Sequence, residues 1–409
     1  GGCAQPGIRP SSMATRRNLV TGGVIALAAC AEAFQTLPMG TARIAVGSLA
    51  SSPRHTAWTA KSSLSPLARV PALLKPAADK ESKLVLSSSA AAGEADKEEP
   101  KTNLLLLGLY FFAWYALNVG YNITNKQVLN VFPLYATAAS AQLLVAWLWL
   151  VPQWLAGIRP KPSPSKGNMA ALQKVSVLHG LGHLVTVMSM GLGAVSFVHV
   201  VKAAEPVFAA ILSAIFAGSV MAAPVYASLI PVCAGVAIAS AGELSFTWGC
   251  FSAAMMSNLL FASRAVFSKM AMSGDDQGEN MDAANTFAVV TMLATIVCVP
   301  IALLLEGPKI LPAWAAATAA KGMTAQKLST TLFLSGLYLY TYNEFAFKVL
   351  GMVSPVAQAV GNTVKRVVIL VATSIAFATP MTPIGITGSA IAMGGVLVYS
   401  LVQQAYAKK

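Results

Sequence analysis

From Asn103 onward the chain is a succession of apolar runs, each long enough to cross a hydrocarbon core of about 30 Å as a helix rising 1.5 Å per residue. No other feature restricts the fold so strongly. Inside lipid every backbone N–H and C=O must be satisfied within the protein, and runs of roughly twenty apolar residues do this only as helices. The segments fall at about 103–124, 132–153, 171–191, 195–217, 223–242, 246–271, 283–305, 327–349, 354–378 and 383–405. With 56% hydrophobic and 11% charged residues in 409 positions, the composition excludes a soluble globular protein of ordinary type. The spacing predicts an all-α membrane protein of about ten transmembrane helices over 102–409.

An even number of spans puts both ends of this region on one side. Arg159, Lys161, Lys166, Lys174, Lys348, Lys408 and Lys409 fall on that side and Lys126, Lys309, Lys321 and Lys327 on the other, so the termini are expected to face the interior compartment. The fourth span, VSFVHVVKAAEPVFAAILSAIF, and the ninth, VSPVAQAVGNTVKRVVILVATSIAF, open with Val-Ser, close on Ile-Phe or Ile-Ala-Phe, and carry their cations in the middle third. Five spans per half make this a pair of inverted five-helix repeats, an architecture that places a binding site near the midplane between the repeats.

The residues before the spans read differently. Gly1–Ser12 precede the first methionine, Met13, and are set aside as an upstream remainder. Residues 13–33 run from Arg16-Arg17 through an apolar stretch to Ala31-Glu32-Ala33, the pattern of a secretory signal peptide. Residues 34–101 begin as an acid-free Ser, Ala, Pro and Arg segment, as a transit peptide reads, and end in a charged linker. Signal followed by transit resembles the bipartite presequences of algae with complex plastids; an endomembrane protein with a lumenal arm is the alternative.

The ninth span carries Lys365 and Arg366 side by side near its middle. A cation at the centre of a spanning helix costs about 2.5 to 3.5 kcal/mol on insertion scales, so two adjacent ones face a wet cavity and its anion, or snorkel to headgroups from nearer an end. A lysine point charge beside a planar arginine fork suits a phosphate held from two directions. In the fourth span Lys202 is followed at i+3 by Glu205, either part of the same site or a self-neutralising pair. Three cations against one carboxylate match the charge of a phosphate monoester. His179, His183 and Thr186 share a face of the third span, as packing residues or as ligands. The sixth carries Phe261, Arg264 and Lys269, the last near the helix end and able to snorkel. The eighth carries Tyr342 and Glu344, with Lys348 one turn from Glu344 as its expected partner. Lys126 is a mouth residue or a flanking charge. The cysteines show no CxxC spacing and no acidic cluster accompanies the histidines, so no metal or cofactor is expected.

Over 103–406 these residues carry a resemblance. WYALNVGYNITNKQVLNVFP, VSFVHVVKAAEPVF, ASLIPVCAGVAIASAGELSFTWGCFSAAMMSNLLFASRAVFSKMAM, YNEFAFKVLGMVSPVAQAVGNTVKRVVIL and GSAIAMGGVLVYS resemble, in order, the plastid phosphate translocators of the drug/metabolite transporter superfamily. The resemblance implies an antiporter in a plastid envelope membrane, exchanging inorganic phosphate for a phosphorylated three-, five- or six-carbon metabolite, with no enzyme activity. It implies phosphate binding by Lys202, Lys365, Arg366, Tyr342 and His183, and selectivity from Thr186 and Phe261. The His-Thr-Phe combination is similar to the triose-phosphate branch. Lys126, Glu205, Arg264, Lys269 and Glu344 are expected along the path or at its gates. Glu344 stands where the family has glutamine, and Ala357-Gln358 where it has Thr-His. Expected partners are phosphate, phosphorylated metabolites and the bilayer, and no nucleic acid. Other readings are a phosphoenolpyruvate, pentose- or hexose-phosphate antiporter of the same family, a nucleotide-sugar antiporter, a membrane enzyme using His179 and His183, or an anion channel.

Overall fold

A computed structural model describes residues 104–272, 276–319, 323–350 and 352–407. The upstream remainder, the signal peptide and the transit peptide therefore lie outside the described residues. Ten helices follow one another: α1 Leu104–Val131, α2 Tyr135–Leu155, α3 Lys166–Leu192, α4 Val195–Phe216, α5 Ala223–Gly242, α6 Trp248–Met272, α7 Ala283–Ala319, α8 Ala325–Leu350, α9 Pro355–Ala376 and α10 Pro383–Ala407. Two short strands, β1 (Ser163–Pro164) and β2 (Gly278–Glu279), pair antiparallel and tie the α2–α3 link to the α6–α7 link. Among the described residues nine helices are long and apolar enough to cross a membrane; α8 falls short, since Lys327, Glu344, Lys348 and several tyrosines dilute its apolar run. Leucines 104, 148 and 304 and Ile375 stand on the outside of the bundle, where lipid rather than water solvates them. The protein is a multi-pass membrane protein.

The helix pairings show the repeat directly. Helix α1 packs on α8 and α9, α6 packs on α3 and α4, α2 packs on α8, and α3 packs on α7. The remaining main pairs are α2 with α7, α4 with α9 and α5 with α10. Exchanging each helix for the one five places along returns the same set. Because five is odd, the halves α1–α5 and α6–α10 run through the membrane in opposite senses, the inverted repeat expected from the fourth and ninth spans.

Where the helices depart from the expected spans, the cause is local chemistry. Helix α4 is interrupted by a 3₁₀ turn over Lys202–Ala204. Pro206 has no N–H to give the Lys202 carbonyl, so the Glu205 N–H takes that carbonyl in the tighter i→i−3 pattern. Helix α7 runs to Ala319 and not to 305, so most of the stretch that reads as a link from Glu306 on is helical, prolines 308 and 312 included. Glu306 is accommodated because its carboxylate caps α2, accepting from the Ala136 N–H at 3.1 Å, the Thr137 N–H at 2.7 Å and the Thr137 hydroxyl at 2.8 Å. Its negative charge thereby meets the positive end of the α2 dipole. Helices α5 and α10 touch backbone to backbone, since a Cβ on Gly235 would run into the Ala392 backbone and one on Gly388 into that of Ala239. Such contact is how helices associate where no hydrophobic drive separates them from lipid.

Candidate functional site

A cavity of about 210 Å³ lies among the middles of the helices. Its wall includes Lys202 and Glu205 from α4, His179, His183 and Thr186 from α3, Phe261 and Arg264 from α6, Tyr342 from α8, and Lys365 and Arg366 from α9. Side chains expected at the site from separate stretches of sequence thus come together in one place. Lys202 comes from the first half, and Arg264, Lys365 and Arg366 from the second. Four cations face one carboxylate, a formal excess of three. The 3₁₀ turn in α4 carries Lys202, and Ser354 at the start of α9 accepts from the Ala357 N–H, fixing the entry of the helix that bears Lys365 and Arg366.

Each cation has a distinct setting. Lys202 Nζ donates to Ser257 Oγ at 2.9 Å and Thr186 Oγ1 at 3.4 Å, and stands 4.7 Å from the Phe261 ring centroid. Lys365 Nζ donates to Asn362 Oδ1 at 3.3 Å and lies 4.8 Å over Trp114. Arg264 donates to His179 Nδ1 at 3.2 Å and lies 5.8 Å from Phe261, so that ring sits under two cations. Arg366 pairs with Glu205 at 3.3 Å.

That last contact corrects the intrahelical reading of Glu205. Its partner is Arg366 across the interface of the halves, so Arg366 does have a counterion. The expected Glu344–Lys348 pair is likewise replaced: Glu344 takes Arg159 at 3.3 Å, while Lys348 lies 5.2 Å over Phe345 and 5.8 Å over Tyr110. Arg159 also donates to Asn285 Oδ1 at 2.7 Å. By connectivity this cluster lies on the side of the chain termini. Lys126 is not part of the cavity wall. It lies within α1 and donates to the Met190 and Gly193 carbonyls at 2.8 and 2.9 Å, capping the C-terminal end of α3. Lys269 lies near the end of α6 and is not part of the cavity wall.

Sequence reading passed over several wall residues. Asn118 and Asn122, with Asn125 behind them, recur at i, i+4 and i+7 on α1, a polar stripe on an apolar span. His199 is three residues from Lys202 and therefore on its face; its Nε2 lies 2.7 Å from Asn122 Oδ1. Gln142 lies 3.1 Å from His183 Nε2 through Oε1. The spacing of the asparagines and of His199 was a usable signal, whereas nothing in α2 singles out Gln142. Among the described residues no group of three or more His, Cys, Asp or Glu could hold a metal ion.

The family model described as "Triose-phosphate Transporter family" matches residues 105–400. The chain is 38% identical over 304 residues to phosphoenolpyruvate/phosphate translocator 2, chloroplastic, of Arabidopsis thaliana, covering 74% of this chain and 79% of that one. It is 36% identical over 355 residues to the triose phosphate/phosphate translocator, non-green plastid, chloroplastic, of Brassica oleracea var. botrytis, covering 86% and 87%. A third relative, the xylulose 5-phosphate/phosphate translocator, chloroplastic, of Arabidopsis thaliana, is 37% identical over 317 residues, covering 78% and 74%. A family model that spans nearly all of the helical bundle, with relatives aligned over most of their own length, makes this chain a transporter and not an enzyme: it belongs to the Triose-phosphate Transporter family.

Proposed function

We propose that the protein exchanges inorganic phosphate for a phosphorylated three-carbon metabolite, triose phosphate or 3-phosphoglycerate, across a plastid envelope membrane, with its termini in the stroma. One observation carries the reading: cations from both halves of an inverted repeat converge on one buried cavity, beside a single carboxylate. Lys202, Lys365 and Arg366 close on the phosphate, Tyr342 donates to it, His183 completes the hydrogen bonds of the phosphate ligand as a whole, and Thr186 and Phe261 meet the carbon chain. Glu205 competes with the arriving anion for Arg366. When the anion leaves, the carboxylate takes back one cation, but the others remain in a low-dielectric site where their repulsion opposes occlusion. Rocking of the halves is therefore slow without an anion on board, and counter-exchange follows from charge alone.

Reconstituted exchange in proteoliposomes tests this. Lys365→Ala and Arg366→Ala should each abolish phosphate exchange, whereas Lys269→Ala, outside the cavity wall, should have a much smaller effect. Near-normal exchange in either clamp variant would sink the reading, as would uniport into phosphate-free vesicles at the rate of exchange. Relatives named for phosphoenolpyruvate and xylulose 5-phosphate match at similar identity. A panel of triose phosphate, 3-phosphoglycerate, phosphoenolpyruvate, and pentose and hexose phosphates therefore reads the preferred counter-substrate; preference outside the first two would overturn the three-carbon assignment.

A further inference from the structure

Two histidines in the cavity wall are held by side-chain amides whose orientation the surrounding atoms dictate. Asn122 places Nδ2 at 2.8 Å from the Asn118 backbone carbonyl, which can only accept. Its Oδ1 is therefore the atom that meets His199 Nε2 at 2.7 Å, and Nε2 must carry the hydrogen. The second chain of logic is longer and ends the same way. The Met190 thioether can only accept, so the Asn125 atom 3.2 Å from it is Nδ2. Asn125 Oδ1 then faces Gln142, which must present Nε2 to it at 2.8 Å and to Ser335 Oγ at 2.8 Å. That turns Gln142 Oε1 to His183 Nε2 at 3.1 Å, so this nitrogen too is the donor. Gln142, Asn125 and Ser335 are fully buried and Asn122 nearly so.

In each ring Nδ1 is left over. Both rings line the cavity, and among the described residues no protein group hydrogen-bonds either Nδ1. A proton on Nδ1 would add a charge to a wall already bearing Lys202, Lys365 and Arg366. The free nitrogen is a lone pair, able to receive an O–H and repelled by a bare oxyanion oxygen.

We propose that Gln142 and Asn122 are positioning residues that lock His183 and His199 as hydrogen-bond acceptors, and that the two rings select ligands carrying a hydroxyl proton. The inference rests on the phosphate-exchange reading and adds a criterion to it. Monohydrogen phosphate brings a P–OH; a phosphate monoester dianion has none, and its hydroxyl must come from the carbon chain. Sulfate, of the same shape and charge as monohydrogen phosphate, brings no proton and meets two lone pairs. A site whose buried polar atoms are built for a hydroxyl rejects an analogue that lacks it.

The test is competition of labelled phosphate exchange in proteoliposomes by unlabelled phosphate and by sulfate. The wild-type protein should bind sulfate at least about tenfold more weakly than phosphate. Gln142→Met and Asn122→Leu remove the fixing oxygen at similar volume, freeing the ring to move its hydrogen to Nδ1 and donate. Each should narrow the sulfate-to-phosphate ratio severalfold, whereas mere loosening of the site would weaken both anions in parallel and keep the ratio. A wild-type ratio near one, or an unchanged ratio in both variants, overturns the inference while phosphate exchange itself stands. If wild-type protein exchanges no phosphate, it is the transport reading that fails. A measurement free of variants is ¹⁵N-histidine NMR of the purified wild-type protein: His183 and His199 should show protonated Nε2 and bare Nδ1, and the opposite tautomer in both overturns the proposal.

Discussion

At the scale of single residues the informative group is Glu205, a carboxylate placed where an anion is expected to bind. Under the proposed function its pairing with Arg366 at 3.3 Å makes it a rival of the substrate for that guanidinium, and both side chains line the cavity and are part-exposed. Glu205→Gln removes the rival and raises the formal charge of the wall by one. Apparent affinity for phosphate should rise, by about tenfold if roughly 1.4 kcal/mol of competition is relieved, and turnover should fall because release now lacks its replacement anion. Exchange kinetics against phosphate concentration measure both; a weakened affinity with normal turnover would show that Glu205 acts some other way. Charge in an apolar span was legible from sequence because it is so costly, and Lys202, Lys365, Arg366 and Arg264 all reached the cavity. Pairing was not legible. Glu205 and Glu344 each sit one turn from a lysine, yet both choose an arginine distant in the chain, at separations of 161 and 185 residues. Sequence spacing offers only local partners, and a planar fork brought in by the fold outcompetes them.

At the scale of elements, small residues decide how closely helices meet. Gly235 on α5 and Gly388 on α10 each face backbone on the other helix, with no room for a methyl group, whereas a Cβ on Gly394 of α10 would meet nothing within 4 Å. Gly388→Ala should therefore cost about 1–3 kcal/mol through overpacking, lowering the melting temperature in detergent by roughly 2–12 °C. Gly394→Ala should leave it unchanged or slightly raised, since alanine favours the helix. A thermal melt of the two variants side by side decides. The ten helices were readable as apolar runs, α8 as the most diluted of them, but their ends were not. Helix α7 continues past Glu306 because that carboxylate finds the N-terminus of α2, and α1 continues past Lys126 because that amine finds the C-terminal carbonyls of α3. In each case a charge that reads as the edge of a membrane segment is satisfied by the end of another helix, which only the assembled bundle supplies.

At the scale of the whole molecule, Arg159 joins the α2–α3 link of the first half to α7 and α8 of the second through Asn285 and Glu344. It bridges the two halves on the terminal side, where β1 and β2 also pair, and is placed to act as a latch there. Arg159→Ala should favour opening to that side, and a cysteine introduced at Asn343, in a background without native cysteines, should then label several times faster with an impermeant maleimide applied there. Combining Arg159→Glu with Glu344→Arg should restore slow labelling; equal rates in all three proteins would remove the latch. The exchange symmetry of the helices has a broader effect. Since the helix pairing of one half repeats that of the other upside down, the two leaflets meet the same framework, and what differs between the faces is local, as in the Arg159 cluster. The framework acts as an unbiased turnstile, and the sign of net carbon traffic is left to the metabolite pools on either side.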